Sequence, residues 1–317
     1  MINRYSAFLQ NKYGERVYKI PINLNFGCPN RDGVLSSSGC LFCSPSAIVS
    51  ENLPASLDIA EQCAINKAYI GQKYHAKKFI AYFQSFSNTY CPPDTLWQML
   101  LSCAQQNDIV EICLSTRPDC ISPPIRDVFR RFMREYPHIN LSVELGLQSV
   151  NPHTLKKINR GHTLAEFIEA TLALHALSIP ICAHLILNLP WDDDDDAVEA
   201  AKILSALAVA SVKVHSLAIL KNTELGALYE RGEIDILPMD DYVDRAALFL
   251  AHLSPDITVQ RLTARFSEGE CLFCNWGRNW RVIDEAIVLR LRDRNLRQGD
   301  LCNYLAGGAW QRAFPSL

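Results

Sequence analysis

The stretch Phe26-Gly27-Cys28-Pro29-Asn30-Arg31-Asp32-Gly33, followed by Gly39-Cys40-Leu41-Phe42-Cys43, decides how this chain is read. It sets three cysteines in a C-x11-C-x2-C pattern, in a loop directly after the apolar, strand-like run Tyr18–Phe26. Three thiolates converging on one point make a metal site with one ligand missing. Iron–sulfur clusters are usually held by cysteine thiolates, four of them when fully protein-ligated. Three leave one iron open, and an open coordination position is where metal chemistry happens. A structural zinc site wants four ligands, commonly from two short cysteine units. Only one short unit stands in this loop, and no histidine lies between Cys28 and Cys43. The residues between are rich in Gly, Asp, Asn and Ser, which suits a loop wrapped around a cluster.

Outward from the loop, strand-like and helix-like segments alternate. The strand candidates are Tyr18–Phe26, Lys78–Gln84, Ile109–Thr116, Asn140–Gln148, Ile179–Leu187 and Ser211–Leu220. Helical patterns fill the gaps at Leu57–Tyr74, Asp94–Gln106, Pro124–Tyr136, Thr163–Leu177 and Asp192–Ala208, with Asp94 and Asp192 as expected N-caps. Such alternation predicts parallel βαβ units. Six of them predict an α/β fold of the partial (β/α)6 TIM-type barrel kind, its site at the carboxyl ends of the strands. The reading divides the chain into an N-terminal segment (1–17), the barrel (18–225) and a C-terminal α/β extension packed on it (226–317). After Lys221, Glu224–Gly232, Asp240–Leu253 and Val282–Leu296 read as helices and Ile257–Leu262 as a strand.

The 317 residues are 49% apolar and 21% charged, with a formal charge of −3. That balance supports a sizeable core and no overall basic field for nucleic acid. The first residues carry no apolar signal-peptide core, and the longest apolar stretch, Ala170–Pro190, is interrupted by His175, Pro180 and His184. A cytoplasmic protein with reduced thiols and no membrane segment is expected, and there cysteines more often bind metal or react.

Side-chain phase adds to the case, because alternate strand residues face the same way. Glu144, Gly146 and Gln148 share one phase of the fourth strand; His184 and Asn188 share one on the fifth, and Lys213 and His215 on the sixth. Barrel interiors are normally filled by Val, Ile and Leu, so these groups indicate a polar site or a self-satisfied polar network.

The cysteine run resembles that of the YhcC/YtqA-type radical S-adenosylmethionine (SAM) proteins, whose core is similar to the Elongator catalytic subunit. The resemblance continues at Tyr82–Tyr90, Thr116-Arg117-Pro118-Asp119, Glu144-Leu145-Gly146-Leu147-Gln148-Ser149, Ile158-Asn159-Arg160-Gly161-His162, Cys182–Leu187, Lys213-Val214-His215, Leu220–Thr223 and Gln260–Thr263. It is collinear from about Arg4 to about Ile287. It implies a 4Fe–4S cluster on Cys28, Cys40 and Cys43, with SAM chelating the fourth iron. One electron, from a donor such as flavodoxin or ferredoxin, would cleave SAM to methionine and a 5′-deoxyadenosyl radical that abstracts hydrogen from substrate. Gln84 is expected near the methionine end of SAM, Glu144 and Gln148 on its ribose or carboxylate, and Asn188 beside it. His184, His215 and Arg261 are the candidates for contact with substrate. The relatives point to tRNA, by wobble-uridine modification. A small-molecule substrate, and a non-catalytic cluster- or zinc-binding protein on the same fold, stay open.

The chain departs from the family pattern after the fifth strand, where Asn188-Leu189-Pro190-Trp191-Asp192 replaces Gly-Leu-Pro-Gly-Glu, and at Ala218, where relatives often carry a larger residue. A second pair, Cys271 and Cys274, is expected to be ordinary thiols. Basic residues gather at Lys156, Lys157 and Arg160, at Arg261, Arg265, Arg278 and Arg281, and at Arg290–Arg297, with Trp276, Trp280 and Tyr304 interleaved. They read as a solvated helix face or an RNA-facing surface.

Overall fold

The computed structural model describes residues 2–24, 26–44, 52–266 and 268–314. Seven parallel strands form one curled sheet. They are β1 (Val17–Ile22), β2 (Lys78–Phe83), β3 (Ile109–Thr116), β4 (Asn140–Gln148), β5 (Ile181–Ile186), β6 (Ser211–His215) and β8 (Thr258–Arg261), adjacent in that order. Between β6 and β8 in the chain comes a short β7 (Ala218–Leu220). It leaves the sheet and pairs antiparallel with β9 (Cys271–Cys274). The half-barrel of the sequence reading is therefore present with one strand more: β8, read as part of the extension, extends the barrel sheet beside β6.

Helices fill the connections. They are α2 (Ile59–Tyr74), α3 (Pro93–Ala104), α4 (Pro123–Glu135), the short α5 (Pro152–Lys157), α6 (Leu164–His175), α7 (Asp194–Ala206), α8 (Glu224–Glu230), α9 (Met239–His252), α10 (Trp280–Asp293) and α11 (Gly308–Ala313). Capping boxes start three of them, Asp58/Glu61 at α2, Thr163/Glu166 at α6 and Asp193/Asp196 at α7. Asp193 thus takes the capping role expected of Asp192. Asp94 lies in the first turn of α3, which starts on Pro92 and Pro93. Phe129 and Phe132 of α4 and Phe167 of α6 are fully buried in the main core. Each such aromatic contributes roughly 1.5–3 kcal/mol of burial.

An N-terminal helix, α1 (Tyr5–Tyr13), falls in the segment that the sequence left without structure. Arg4 just before it forms an isolated parallel bridge with Val259 of β8 and a two-point ion pair with Asp284 of α10 (2.7 and 2.8 Å). Lys12 Nζ and Tyr13 Oη both donate to the buried Glu111 of β3, at 2.9 and 2.6 Å. Glu111 stands near the start of β3, so α1 closes the amino-terminal end of the barrel and leaves the carboxyl end for the site.

The run Ser211–Leu220, continuous in sequence, breaks at Ser216. Ser216 Oγ donates to Asn275 Oδ1 (2.6 Å) and accepts from the Ala264 amide (2.9 Å), which draws the chain out of the sheet toward β9.

Candidate active site

Cys28, Cys40 and Cys43 line one cavity of about 170 Å³ at the carboxyl ends of the strands, together with Gln84, Glu144, Gly146, Gln148 and His184. The loop that carries the cysteines is fastened to the segment after α5. The Leu41 amide donates to the Ile158 carbonyl (3.0 Å), Asn30 Nδ2 to the Asn159 carbonyl (2.6 Å), and Asn159 Nδ2 to the Gly39 carbonyl (2.7 Å). Phe42 and Leu41 pack into the apolar cluster around Ile158, Leu189 and Leu217.

Three arginines surround the thiols. Arg160 Nη1 and Asn30 Nδ2 each donate to Cys40 Sγ at 3.4 Å. Arg31 bonds the Cys43 carbonyl. Arg117 forms a fork on Asp119 (2.9 and 2.8 Å) and keeps Nη1 buried at the cavity, without a hydrogen-bond partner among the described residues. Burial pushes the Cys43 thiol up, as does the neighbouring Cys40, and Arg31 opposes both. The three cationic groups make the surroundings of the three sulfurs positive. Arg160 was grouped in sequence with a surface basic patch; the structure buries it against Cys40. Gly146 makes room for it, because a Cβ there would stand 2.6 Å from Arg160 Nη2, which donates to the Gly146 carbonyl (2.7 Å).

The cavity wall includes a buried ionic network centred on Glu144, which is 1% exposed. Lys19 of β1 pairs with Oε1. On Oε2 converge His184 Nε2 (2.6 Å), Tyr82 Oη (2.7 Å), Lys213 Nζ (2.9 Å) and Ser115 Oγ (3.3 Å). A carboxylate has about four lone-pair sites, so these five protein donors saturate it. Burial would raise the Glu144 carboxyl, but Lys19, Lys213 and His184 outweigh it and hold the group well below the usual carboxylate range. Lys213 is drawn down to about 8 by burial, with Glu144 opposing. Burial lowers His184 to about 4, so its ring is neutral near pH 7. Glu144, Cys182 and His184 also bring ligand atoms within 4.8 Å of one another. Two ammonium groups already sit on that carboxylate, so a divalent cation there would face direct repulsion.

The other expected site residues divide. Gln84 and Gln148 line the cysteine cavity. Gln84 Nε2 donates to Asn52 (3.1 Å). Gln148 reaches the cavity in a way strict alternation does not describe. β4 carries one extra residue between Gly146 and Gln148 relative to β5, and Gln148 has a left-handed φ of 77°. His184, His215 and Arg261 come together at the ends of β5, β6 and β8. The two imidazoles are 5.8 Å apart, and Arg261 Nη2 lies 2.8 and 3.0 Å from the two ring nitrogens of His215. Burial first, then the Arg261 charge, keeps His215 far below its ordinary value and neutral. Asn188 is not brought to the cysteine cavity. Its Oδ1 accepts from the Leu217 amide (2.6 Å), which ties the turn after β5 to the end of β6. Cys271 and Cys274 sit on β9 and line a different cavity from the triad, and burial raises both thiols, Cys271 to about 12.

Lys19 has no place in the sequence reading, and Tyr82 and Arg117 enter it only inside the family motifs, with no role of their own. A lysine in the middle of the apolar run Val17–Ile22 is the signal that would have found the first.

A family model for the radical SAM superfamily matches residues 22–204, and one for the radical SAM C-terminal domain matches 209–288. The chain belongs to the radical SAM superfamily. It is 34% identical to the uncharacterized protein YtqA of Bacillus subtilis over 293 residues, 92% of this chain and 89% of YtqA. It is 29% identical to YhcC of Escherichia coli over 88% of both chains. A shorter stretch, 39% of this chain and 23% of the relative, is 27% identical to a tRNA uridine(34) acetyltransferase of Methanocaldococcus infernus. Among solved structures, archaeal Elp3 from the same organism superposes with a TM-score of 0.66 at 15% identity, over 89% of this chain and 64% of Elp3. That likeness bears out the half-barrel. This radical SAM protein is accordingly an enzyme of that superfamily that uses a 4Fe–4S cluster and SAM. Among the described residues, no helix is long and apolar enough to cross a membrane.

Proposed function

We propose that Cys28, Cys40 and Cys43 hold the cluster, that SAM occupies the cavity beside them, and that the substrate is a nucleoside of tRNA. The observation that carries the first part is the convergence of three cysteines and three arginines on one cavity. The donor set fits. Three sulfurs leave one position of a four-iron cluster open, and the buried, unpartnered Arg117 Nη1 suits an anionic group such as the SAM carboxylate. When bound, the cluster supplies the electron that divides SAM into methionine and the 5′-deoxyadenosyl radical, which takes hydrogen from substrate.

The remaining roles belong to the chain. Arg160 and Asn30 hold Cys40 in place and balance its charge. Gln84 and Gln148 offer hydrogen bonds to SAM. Glu144 acts as a positioning residue, since its carboxylate accepts from His184 and Lys213 and fixes both at the cavity. His184, His215 and Arg261 face the substrate. Leu41 and Phe42 shield the cysteine loop from water, which protects a reactive radical. The enzyme works in the cytoplasm, where thiols stay reduced, and takes its electron from flavodoxin or ferredoxin.

The tRNA assignment draws support from the similarity to a tRNA uridine(34) acetyltransferase. Mass spectrometry of tRNA nucleosides from cells with and without the gene tests it. Loss of one modified uridine is expected; an unchanged nucleoside profile refutes the assignment and favours a small-molecule substrate.

A further inference from the structure

A second and larger cavity, about 580 Å³, opens between β9 and the start of α10. Its wall includes Arg265, Cys274, Arg278, Asn279 and Trp280. The guanidinium of Arg265 lies 4.2 Å from the centre of the Trp280 ring, and that of Arg281 lies 5.2 Å away. Arg290 and Arg294 nearby pair with Asp244, and Arg245 with Asp194. Arg265, Arg278 and Arg281 have no carboxylate partner among the described residues. In a chain of formal charge −3, this is a local surplus of positive charge around an aromatic ring.

The wall is also preorganised. Asn275, Trp276 and Gly277 have left-handed φ values of 49°, 52° and 66° in succession. For a bulky residue such as Trp276 that backbone is strained, and strain of this kind collects at ligand sites. Side chains hold it: Asn275 Nδ2 donates to the Ala264 carbonyl (3.0 Å), and Trp276 Nε1 to the Leu237 carbonyl (2.8 Å). The same Asn275 accepts from Ser216, the residue after His215. The cavity is thereby fixed to the end of β6, on the face of the barrel that carries the cysteines.

We infer that this cavity is the docking site for a single-stranded segment of the RNA substrate, with Arg265, Arg278 and Arg281 on its phosphates and Trp280 against a base. The inference rests on the tRNA reading above and adds the place of recognition. An aromatic platform flanked by guanidinium groups is how unpaired nucleotides are held, and the fork of arginine matches phosphate oxygens. An acidic peptide would use the guanidinium charge but not the ring, which Arg265 faces and which a base would use as a further stacking surface.

The test uses a fluorescein-labelled anticodon stem-loop RNA, with binding read by anisotropy across a salt series. Losing three phosphate contacts lowers the slope of log K against log salt by about 2. The triple variant R265A/R278A/R281A should show that change with at least tenfold weaker binding. Trp280→Ala should bind roughly tenfold more weakly and Trp280→Phe nearly as wild type. SAM cleavage without RNA should be unchanged in all of them, which shows that the barrel is intact. If the triple variant keeps the wild-type affinity and salt slope, this site is wrong and the tRNA reading stands. If wild-type protein ignores the RNA at low salt, whatever it does with a polyglutamate peptide, both fall.

Discussion

Replacing Glu144 by Gln removes the negative centre of the buried network while keeping its shape. Lys19 and Lys213 then face a neutral amide. Lys213 has already been drawn from 10.5 to about 8, which at 1.36 kcal/mol per unit represents about 3 kcal/mol of opposition to its charge. Without Glu144 its proton leaves more readily. Near pH 7 deprotonation lies only about one unit away, so the extra destabilisation from Lys213 stops at about 1 kcal/mol. Burial would lower Lys19, but Glu144 holds it well above its ordinary value, so its proton lies further from leaving than that of Lys213; in the variant Gln260 (2.9 Å) and the new amide oxygen can accept from it but do not offset its charge. Removing one partner of a buried ion pair costs about 3–5 kcal/mol, and the E144Q variant should fall in that range by urea unfolding at pH 7. The pH dependence has a definite sign. A lysine depressed in the folded state binds fewer protons there than in the unfolded chain, so wild-type stability rises from about pH 8 to 10.5. In E144Q that rise starts at lower pH, so the gap between the two proteins narrows as pH increases from about 6 to 8.5. A loss below about 1 kcal/mol at both ends of that range would refute the network as a buried ionic assembly.

Gly146→Ala should push Arg160 off Cys40, since the new Cβ would stand 2.6 Å from Nη2; iron content after anaerobic reconstitution should drop by at least half, while far-ultraviolet circular dichroism stays unchanged. Arg117→Lys keeps a charge but loses the fork on Asp119, so the apparent KM for SAM should rise about tenfold, the equivalent of one lost charge-assisted bond. Burial raises Asp192 to about 6, so its contribution to stability is lost as pH rises from about 4 to 6; Asp192→Asn should melt a few degrees higher than wild type at pH 7.5 and show no gain at pH 4.

The strands were legible because each is an apolar run bounded by turns, and the triad because its spacing leaves a ligand missing. The Asn188 contact was not, because phase along β5 says nothing of the turn that follows it, where the carboxamide bonds the Leu217 amide. The break after β6 was hidden for a similar reason: its cause, Asn275, lies 59 residues away from Ser216. Lys19 and Glu144 are separated by 125 residues, so nothing local marks the lysine as paired. Arg160 read as surface charge because Cys40, its partner, is 120 residues distant. Long-range ionic pairing, which decides whether a charge is buried or solvated, has no periodicity for a sequence to display.

The central claim is that Cys28, Cys40 and Cys43 hold a cluster that cleaves SAM. The measurement that tests it most directly is 5′-deoxyadenosine formation by anaerobically reconstituted protein with SAM and dithionite, alongside iron content. Wild type should carry about four irons per triad site and release 5′-deoxyadenosine, and Cys28→Ala, Cys40→Ala and Cys43→Ala should each lose both. Wild-type protein that binds zinc in place of iron, or that holds the full cluster yet releases no SAM-cleavage product, would contradict the account.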